Sequence, residues 1–73
     1  MKREVRFFVE DILNSIEKVE DFSKGMTEKR LAEDELKQYA IVRAIEIIGE
    51  ASRNVPDDFR KKYPEVPWKE MVG

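Results

Sequence analysis

Between Arg3 and Phe22 the apolar positions are Val5, Phe8, Val9, Ile12, Leu13, Ile16, Val19 and Phe22, spaced mostly three and four residues apart with charged side chains between them. This spacing predicts a long helix with one apolar stripe turned toward a core. Phe7 falls off the stripe and predicts a second, smaller contact near the helix start. Ser23-Lys24-Gly25 supplies a stop, because glycine enters the left-handed region without a Cβ clash. Thr27 reads as the N-cap of a short turn through Glu33. Asp34 reads as a second N-cap, followed by Glu35 in the first turn, where a carboxylate favours the positive end of the helix dipole.

The stretch from Glu35 to about Arg53 is patterned differently. Leu36, Tyr39, Ala40, Ile41, Val42, Ala44, Ile45, Ile47, Ile48 and Ala51 occupy most of its circumference, which predicts a central helix with apolar neighbours on more than one side. Arg43, Glu46, Glu50 and Arg53 interrupt its middle and end as one narrow polar stripe. Pro56 ends this helix or starts the next. Asp57 and Asp58 suit a first turn, and Phe59-Arg60-Lys61-Lys62 reads as a short helix closed by Tyr63-Pro64. Glu65-Val66-Pro67 is an expected extended connector, since a residue before proline is pushed away from helix. Pro67 then opens a last helix, with Trp68, Met71 and Val72 as its contacts. Residues 1–73 are thus read as a single all-α domain, an antiparallel up-and-down helical bundle. Ile12 and Ile16 are expected inside it, and Ile45→Glu is expected to abolish folding or pairing by burying an unpaired charge.

Composition narrows the chemistry. Seventy-three residues suffice for one small domain whose core yields little beyond the entropy of ordering the chain, so self-association or a partner is expected to supplement it. The chain has no cysteine and no histidine. Disulfides, thiolate or imidazole metal ligands, Ser-His and Cys-His pairs and a histidine general base are therefore excluded from these residues. Fourteen Lys and Arg stand against 16 Asp and Glu, a net charge of -2, which exerts no overall pull toward nucleic acid or anionic membrane. The longest uncharged stretches, such as Gln38 to Val42, are too short for a membrane span or the apolar core of a signal peptide. A soluble, cytoplasmic protein without membrane contact is expected.

Three groups of side chains carry candidate chemistry. Arg43, Glu46, Glu50 and Arg53 lie on an otherwise apolar helix, where unpaired burial is costly. They read as an intrahelical Arg-Glu-Glu-Arg ladder, or as one wall of a functional groove. Glu46 and Glu50 are one turn apart, but the Glu-x-x-His partner of bundle metal sites is impossible here, and no metal site is expected. Arg60, Lys61 and Lys62 beside Phe59 and Tyr63 resemble a small basic patch with aromatic platforms, against the plainer reading of a solvated helix end. Trp68 reads as a core anchor rather than a ligand platform. The acidic clusters Glu10-Asp11, Glu17 with Glu20-Asp21 and Glu33-Asp34-Glu35 fall on outer faces or caps and lack calcium-loop spacing.

Several runs together carry a family likeness. Lys2-Arg3-Glu4-Val5-Arg6 leads into Glu10-Asp11-Ile12. Tyr39-Ala40-Ile41-Val42-Arg43-Ala44-Ile45-Glu46-Ile47-Ile48-Gly49-Glu50-Ala51 is followed by Val55-Pro56, and then by Tyr63-Pro64-Glu65-Val66-Pro67-Trp68-Lys69-Glu70-Met71-Val72-Gly73. These runs resemble the HepT-like branch of the HEPN superfamily over essentially the whole chain. Helical periodicity alone dictates neither the Ile-Ile-Gly-Glu-Ala run nor the Pro-x-x-Pro-Trp connector at these positions. The resemblance implies a HEPN-like bundle that pairs as a homodimer. It also implies the ribonuclease toxin of a toxin-antitoxin pair, acting on RNA without a cofactor and neutralised by a small nucleotidyltransferase antitoxin of the MNT type.

In that family the active site is an Arg, four to six residues, then His, on the helix after the Pro-Trp connector, beginning just past the glycine that matches Gly73. Neither catalytic residue is carried over to this sequence, nor is the tyrosine after the His that receives AMP in some members. Arg43, Glu46 and Glu50 match the family's recurrent polar positions beside the cleft and are carried over as supporting residues of its wall. In such enzymes the Arg would stabilise charge on the phosphate and the His would lie near the 2′-hydroxyl proton, so that the ribose attacks its own phosphate without a metal. The resemblance therefore implies a HepT-like toxin subunit of which this chain is the scaffold and dimerisation portion, C-terminally incomplete and inactive alone, with Arg60, Lys61 and Lys62 as candidate RNA contacts. The alternative is a catalytically inert helical interaction module that binds an MNT-type nucleotidyltransferase or an intact HEPN partner. A third reading, a nucleotide-binding helper to a transferase, draws on the wider superfamily alone.

Overall fold

Local signals in the chain set its helices one by one. The computed structural model describes residues 4–73, so the Lys2-Arg3 part of the family likeness and the predicted start at Arg3 lie outside the described residues. Among the described residues there are five helices and no strand: α1 (Val5–Ser23), α2 (Glu28–Glu33), α3 (Glu35–Asn54), α4 (Asp57–Lys62) and α5 (Trp68–Val72). Gly25 terminates the first turn region at φ 71°, a left-handed conformation that a Cβ would disfavour. Thr27 Oγ1 accepts from the Arg30 amide at 3.1 Å and Asp34 Oδ1 from the Lys37 amide at 3.0 Å, as expected for N-caps that satisfy otherwise orphaned donors. Gln38 Nε2 donates to the carbonyls of Leu31 and Ala32, folding α2 back on the start of α3. Asp57 and Asp58 sit in the first turn of α4 and Arg60, Lys61 and Lys62 in its last, each sign at the favourable end of the helix dipole.

The stripe of α1 packs on α3, and the two run antiparallel. Phe8 and Asp11, early in α1, share a groove with Ile47, Ala51 and Asn54, late in α3, whereas Lys37, early in α3, reaches Met26 just beyond the end of α1. Ile12, Ala51 and Val55 form the buried centre, with Val5, Phe8, Ile48, Phe59, Trp68 and Met71 packed around them. The buried positions of α3 are Ala44, Gly49, Ala51 and Ser52, all small, and small side chains let neighbouring helices approach closely. At Gly49 a Cβ would lie 3.6 Å from the Met71 carbonyl oxygen, so α5 rests directly on this part of α3. Trp68 anchors α5 as expected: its indole donates to the Tyr63 carbonyl at 3.0 Å, and its ring meets Phe59 edge-on at 6.5 Å.

Three expectations about burial do not hold. The first half of α3 is not covered on several sides, for Leu36 is 80%, Tyr39 72%, Val42 52% and Ile45 56% exposed. The reason is reach: α4 and α5 come after the end of α3, and the α5 contacts fall on its last turns. Ile45→Glu consequently buries no charge within this fold. Ile12 is buried as expected, but Ile16 is 38% exposed and Leu13 more so, because the apolar stripe of α1 is wider than the surface α3 offers it. The cluster Glu10-Asp11 also departs from its expected outer position, since Asp11 is half-buried. No helix of the described residues is long and apolar enough to cross a membrane.

Candidate functional site

The polar stripe of α3 faces outward, and its members part company. Arg43, Glu46, Glu50 and Arg53 are all exposed. Among the described residues the ion pair formed is Arg6 with Glu4 at 2.9 Å, so the Arg-Glu-Glu-Arg sequence does not close into a ladder of salt bridges. Such pairs gain little in open water and cost side-chain entropy. Arg53 instead donates from Nη1 to the Val72 carbonyl at 3.0 Å, clamping the end of α5 to α3. Its role is structural.

Glu50 lines a groove of about 210 Å³ between α1 and α3, together with Phe8, Asp11, Ile47, Ala51 and Asn54. The Asn54 amide donates to the Glu50 backbone carbonyl at 2.9 Å. Asp11 and Asn54 escaped the sequence reading. Their signal was the antiparallel pairing itself, which sets the turn after Phe8 against the last turns of α3. Arg43 and Glu46 do not line this groove. The groove sets carboxylate and amide groups beside apolar side chains. Among the described residues no group of three or more side chains is placed to hold a metal ion.

The basic segment is also divided. Arg60 is half-buried, with Nε donating to the Val55 carbonyl at 3.0 Å and Nη2 to the Ser52 carbonyl. It satisfies carbonyls at the C-terminus of α3, that of Ser52 alongside the Val55 amide, so it is a cap before it is anything else. Lys61 and Lys62 are exposed at the end of α4. Tyr63 follows them, its ring 5.0 Å from Phe59 and its outer side open to solvent.

A larger concavity lies on the other side of α1. Leu13, Ile16, Ile48, Val66, Trp68 and Met71, with Val9, Ile12 and Pro67, enclose about 540 Å³ with no polar lining at all. Ile12, Ile48, Trp68 and Met71 belong to the core or pack against it as expected and turn their remaining surface to this groove, whereas Leu13 and Ile16 are its exposed walls. Its chemistry is purely that of an apolar partner surface.

Comparison with known proteins agrees with this geometry. Residues 12–73 match the family described as ribonuclease HepT-like. The chain is 50% identical over 72 residues to a candidate RNase of Methanocaldococcus jannaschii, covering 99% of this chain and 66% of that protein. It is 45% identical over 72 residues to a candidate ribonuclease HepT of Thermococcus cleftensis, again 99% of this chain and 66% of the relative. A second candidate RNase of Methanocaldococcus jannaschii is 46% identical over 71 residues, 97% of this chain and 59% of its own length. The chain thus spans two thirds or less of the length of these relatives. No solved structure matches it significantly. With an all-α fold, the family match across α1 to α5 and these identities together, the chain belongs to the HepT-like ribonuclease family of the HEPN superfamily.

Proposed function

We propose that this chain is the scaffold and dimerisation portion of a HepT-like endoribonuclease that acts in the cytoplasm as the toxin of a toxin-antitoxin pair, with an MNT-type nucleotidyltransferase as its antitoxin. The observation that carries the scaffold reading is the apolar groove between α1 and α5, walled by Leu13, Ile16, Trp68 and Met71. An open apolar surface of this size in so small a chain is a binding surface for further helical structure. RNA is the substrate because the family chemistry uses the 2′-hydroxyl as its nucleophile. That chemistry requires an Arg to hold the phosphate and a His to move the proton, and the chain has no histidine. Cleavage accordingly belongs to a chain that also carries the Arg-x4-6-His motif. In it Arg43, Glu46 and Glu50 support the wall of the cleft, and Lys61 and Lys62 are the exposed cations available to phosphates.

The test is a labelled RNA incubated in chelator with the purified 73-residue chain, beside a family chain of the relatives' length that carries the motif. The short chain is expected to leave RNA intact and the longer one to cut it. In the longer chain, Glu46→Gln should lower cleavage more than it lowers thermal stability. Robust cleavage by the 73 residues would overturn the placement of the chemistry. An inactive longer chain would favour the second reading, an inert interaction module, which the two exposed apolar surfaces also support.

A further inference from the structure

We propose that Tyr63 is a platform on which an unpaired RNA base stacks, with Lys61 and Lys62 taking the phosphates beside it. The inference rests on the reading of RNA as substrate and adds to it a residue that contacts the strand. Among the exposed large apolar side chains described here, Tyr39 and Tyr63 are the aromatic ones. Every base has a π-face, so an open ring next to cations suits single-strand recognition without regard to sequence. Tyr39 shares its recess with Glu35, whose charge repels phosphate. Tyr63 directly follows two exposed lysines, neither of them held in an ion pair among the described residues. From Lys61 to Glu65 two lysines stand against one glutamate, a net of +1 in a chain whose total is -2. Arg60 adds nothing to this surface, since it is spent on the carbonyls of Ser52 and Val55.

The ring is held ready for such a ligand. It leans on Phe59 with centroids 5.0 Å apart and planes tilted by 42°, yet stays 44% exposed, so it is backed on one side and open on the other. Phe59 in turn packs against the core and meets Trp68 edge-on. The backbone is fixed as well. The Tyr63 amide donates to the Arg60 carbonyl at 3.1 Å, and the Tyr63 carbonyl accepts from the Val66 amide at 3.1 Å and from the Trp68 indole at 3.0 Å. Pro64 restricts Tyr63 further, as proline does the residue before it. A group ordered in advance loses little entropy when its ligand arrives. Core packing does not account for this ring, because Phe59 and Trp68 already fill the inner side. A duplex keeps its interior bases stacked on one another and offers the ring none of them. The ligand class is therefore single-stranded RNA, with the lysines following its backbone as mobile point charges.

Fluorescence anisotropy of a labelled oligoadenylate with the purified chain tests the platform, beside an abasic ribose-phosphate strand of the same length and a blunt RNA duplex. Circular dichroism reports folding. The chain should bind the oligoadenylate about tenfold more tightly than the abasic strand. Tyr63→Leu should erase that difference and leave the abasic strand's affinity unchanged, whereas Tyr63→Phe and Tyr63→Trp should keep it. Lys62→Gln should weaken both strands alike and lower the slope of log affinity against log salt by about 0.7. Lys29→Gln, exposed on α2, should leave both affinities as they are. Nuclear magnetic resonance of the unaltered chain reads the same contact without a substitution: the Tyr63 ring protons should shift with oligoadenylate and not with the abasic strand. Equal binding of the two strands, unmoved Tyr63 protons or a preference for the duplex would overturn the platform and keep RNA as the substrate. Absence of binding to either strand would also overturn it. Cleavage by the longer family chain then separates the two failures, since cleavage keeps the RNA reading and its absence removes both.

Discussion

The two halves of α3 are built from similar apolar residues and meet opposite fates. From Ala44 onward the helix, apart from the exposed Ile45, is clasped: α1 lies along it, α5 rests on Gly49, and Arg53 and Arg60 tie its end to the segments that follow. Before Ala44, Leu36, Tyr39 and Val42 stand in solvent, with α2 folded against the first turns through Gln38 and Lys37 reaching Met26 beyond the end of α1. Reach sets the difference, and side-chain size goes with it. The clasped half turns Ala, Gly and Ser toward its neighbours, which lets backbones come close and seals the contact. The open half turns Leu, Tyr and Val outward, side chains that suit a partner surface of comparable size. Hydrophobicity decides that a face seeks cover. The size of its side chains decides which neighbour can provide it.

Substitutions can break this contrast. Ile12→Ala, in α1 where it packs on the clasped half of α3, should cost about 2 to 5 kcal/mol through lost burial and the cavity left behind. Leu36→Ala, in the open half, should stay within about 0.5 kcal/mol when measured in dilute solution. Urea denaturation of the two variants side by side checks the difference, and equal losses would erase it. Next in size, Arg60→Met should cost about 2 kcal/mol by freeing the Ser52 and Val55 carbonyls from a charged donor. Amide exchange should then rise at the C-terminal turns of α3 and not at its start.

The reverse applies to Asp34→Ala, which removes the N-cap of the open half. A loss of about 1 kcal/mol is expected, with faster exchange confined to the first turn of α3. The smallest effect concerns Ser52, which is fully buried with no partner for its hydroxyl. Ser52→Ala should leave thermal stability unchanged or raise it by up to about 1 kcal/mol, since a buried hydroxyl without a hydrogen bond is a liability. A marked loss would mean that the hydroxyl is satisfied after all.

Much of the architecture was legible residue by residue. Thr27 and Asp34 marked their helix starts, Gly25 its turn, and Pro56 and Pro67 the entries to α4 and α5, because caps, left-handed turns and proline restrictions act within a few bonds of the residue concerned. The family followed from runs such as Ile47-Ile48-Gly49-Glu50-Ala51, where residue identity exceeds what periodicity demands. The polar groups were less legible. Arg43, Glu46, Glu50 and Arg53 form one stripe in sequence, yet Arg53 is spent on a carbonyl of α5 and Glu50 joins Asp11 and Asn54 from across the helix pair. Arg60, grouped with Lys61 and Lys62 by adjacency, turns inward as a cap.

What the sequence determined by itself, then, is the set of helices, their ends and their kinship, all consequences of short-range geometry and residue pattern. Only the tertiary structure decided which apolar residues are covered. Leu13, Ile16 and Tyr39 carry the same helical spacing as Ile12 and Ala51, and the difference between them is whether a neighbouring helix is long enough and near enough to reach them. A periodic pattern states which side of a helix avoids water. It does not contain the distance to the next helix, and that distance separates the core from the exposed face.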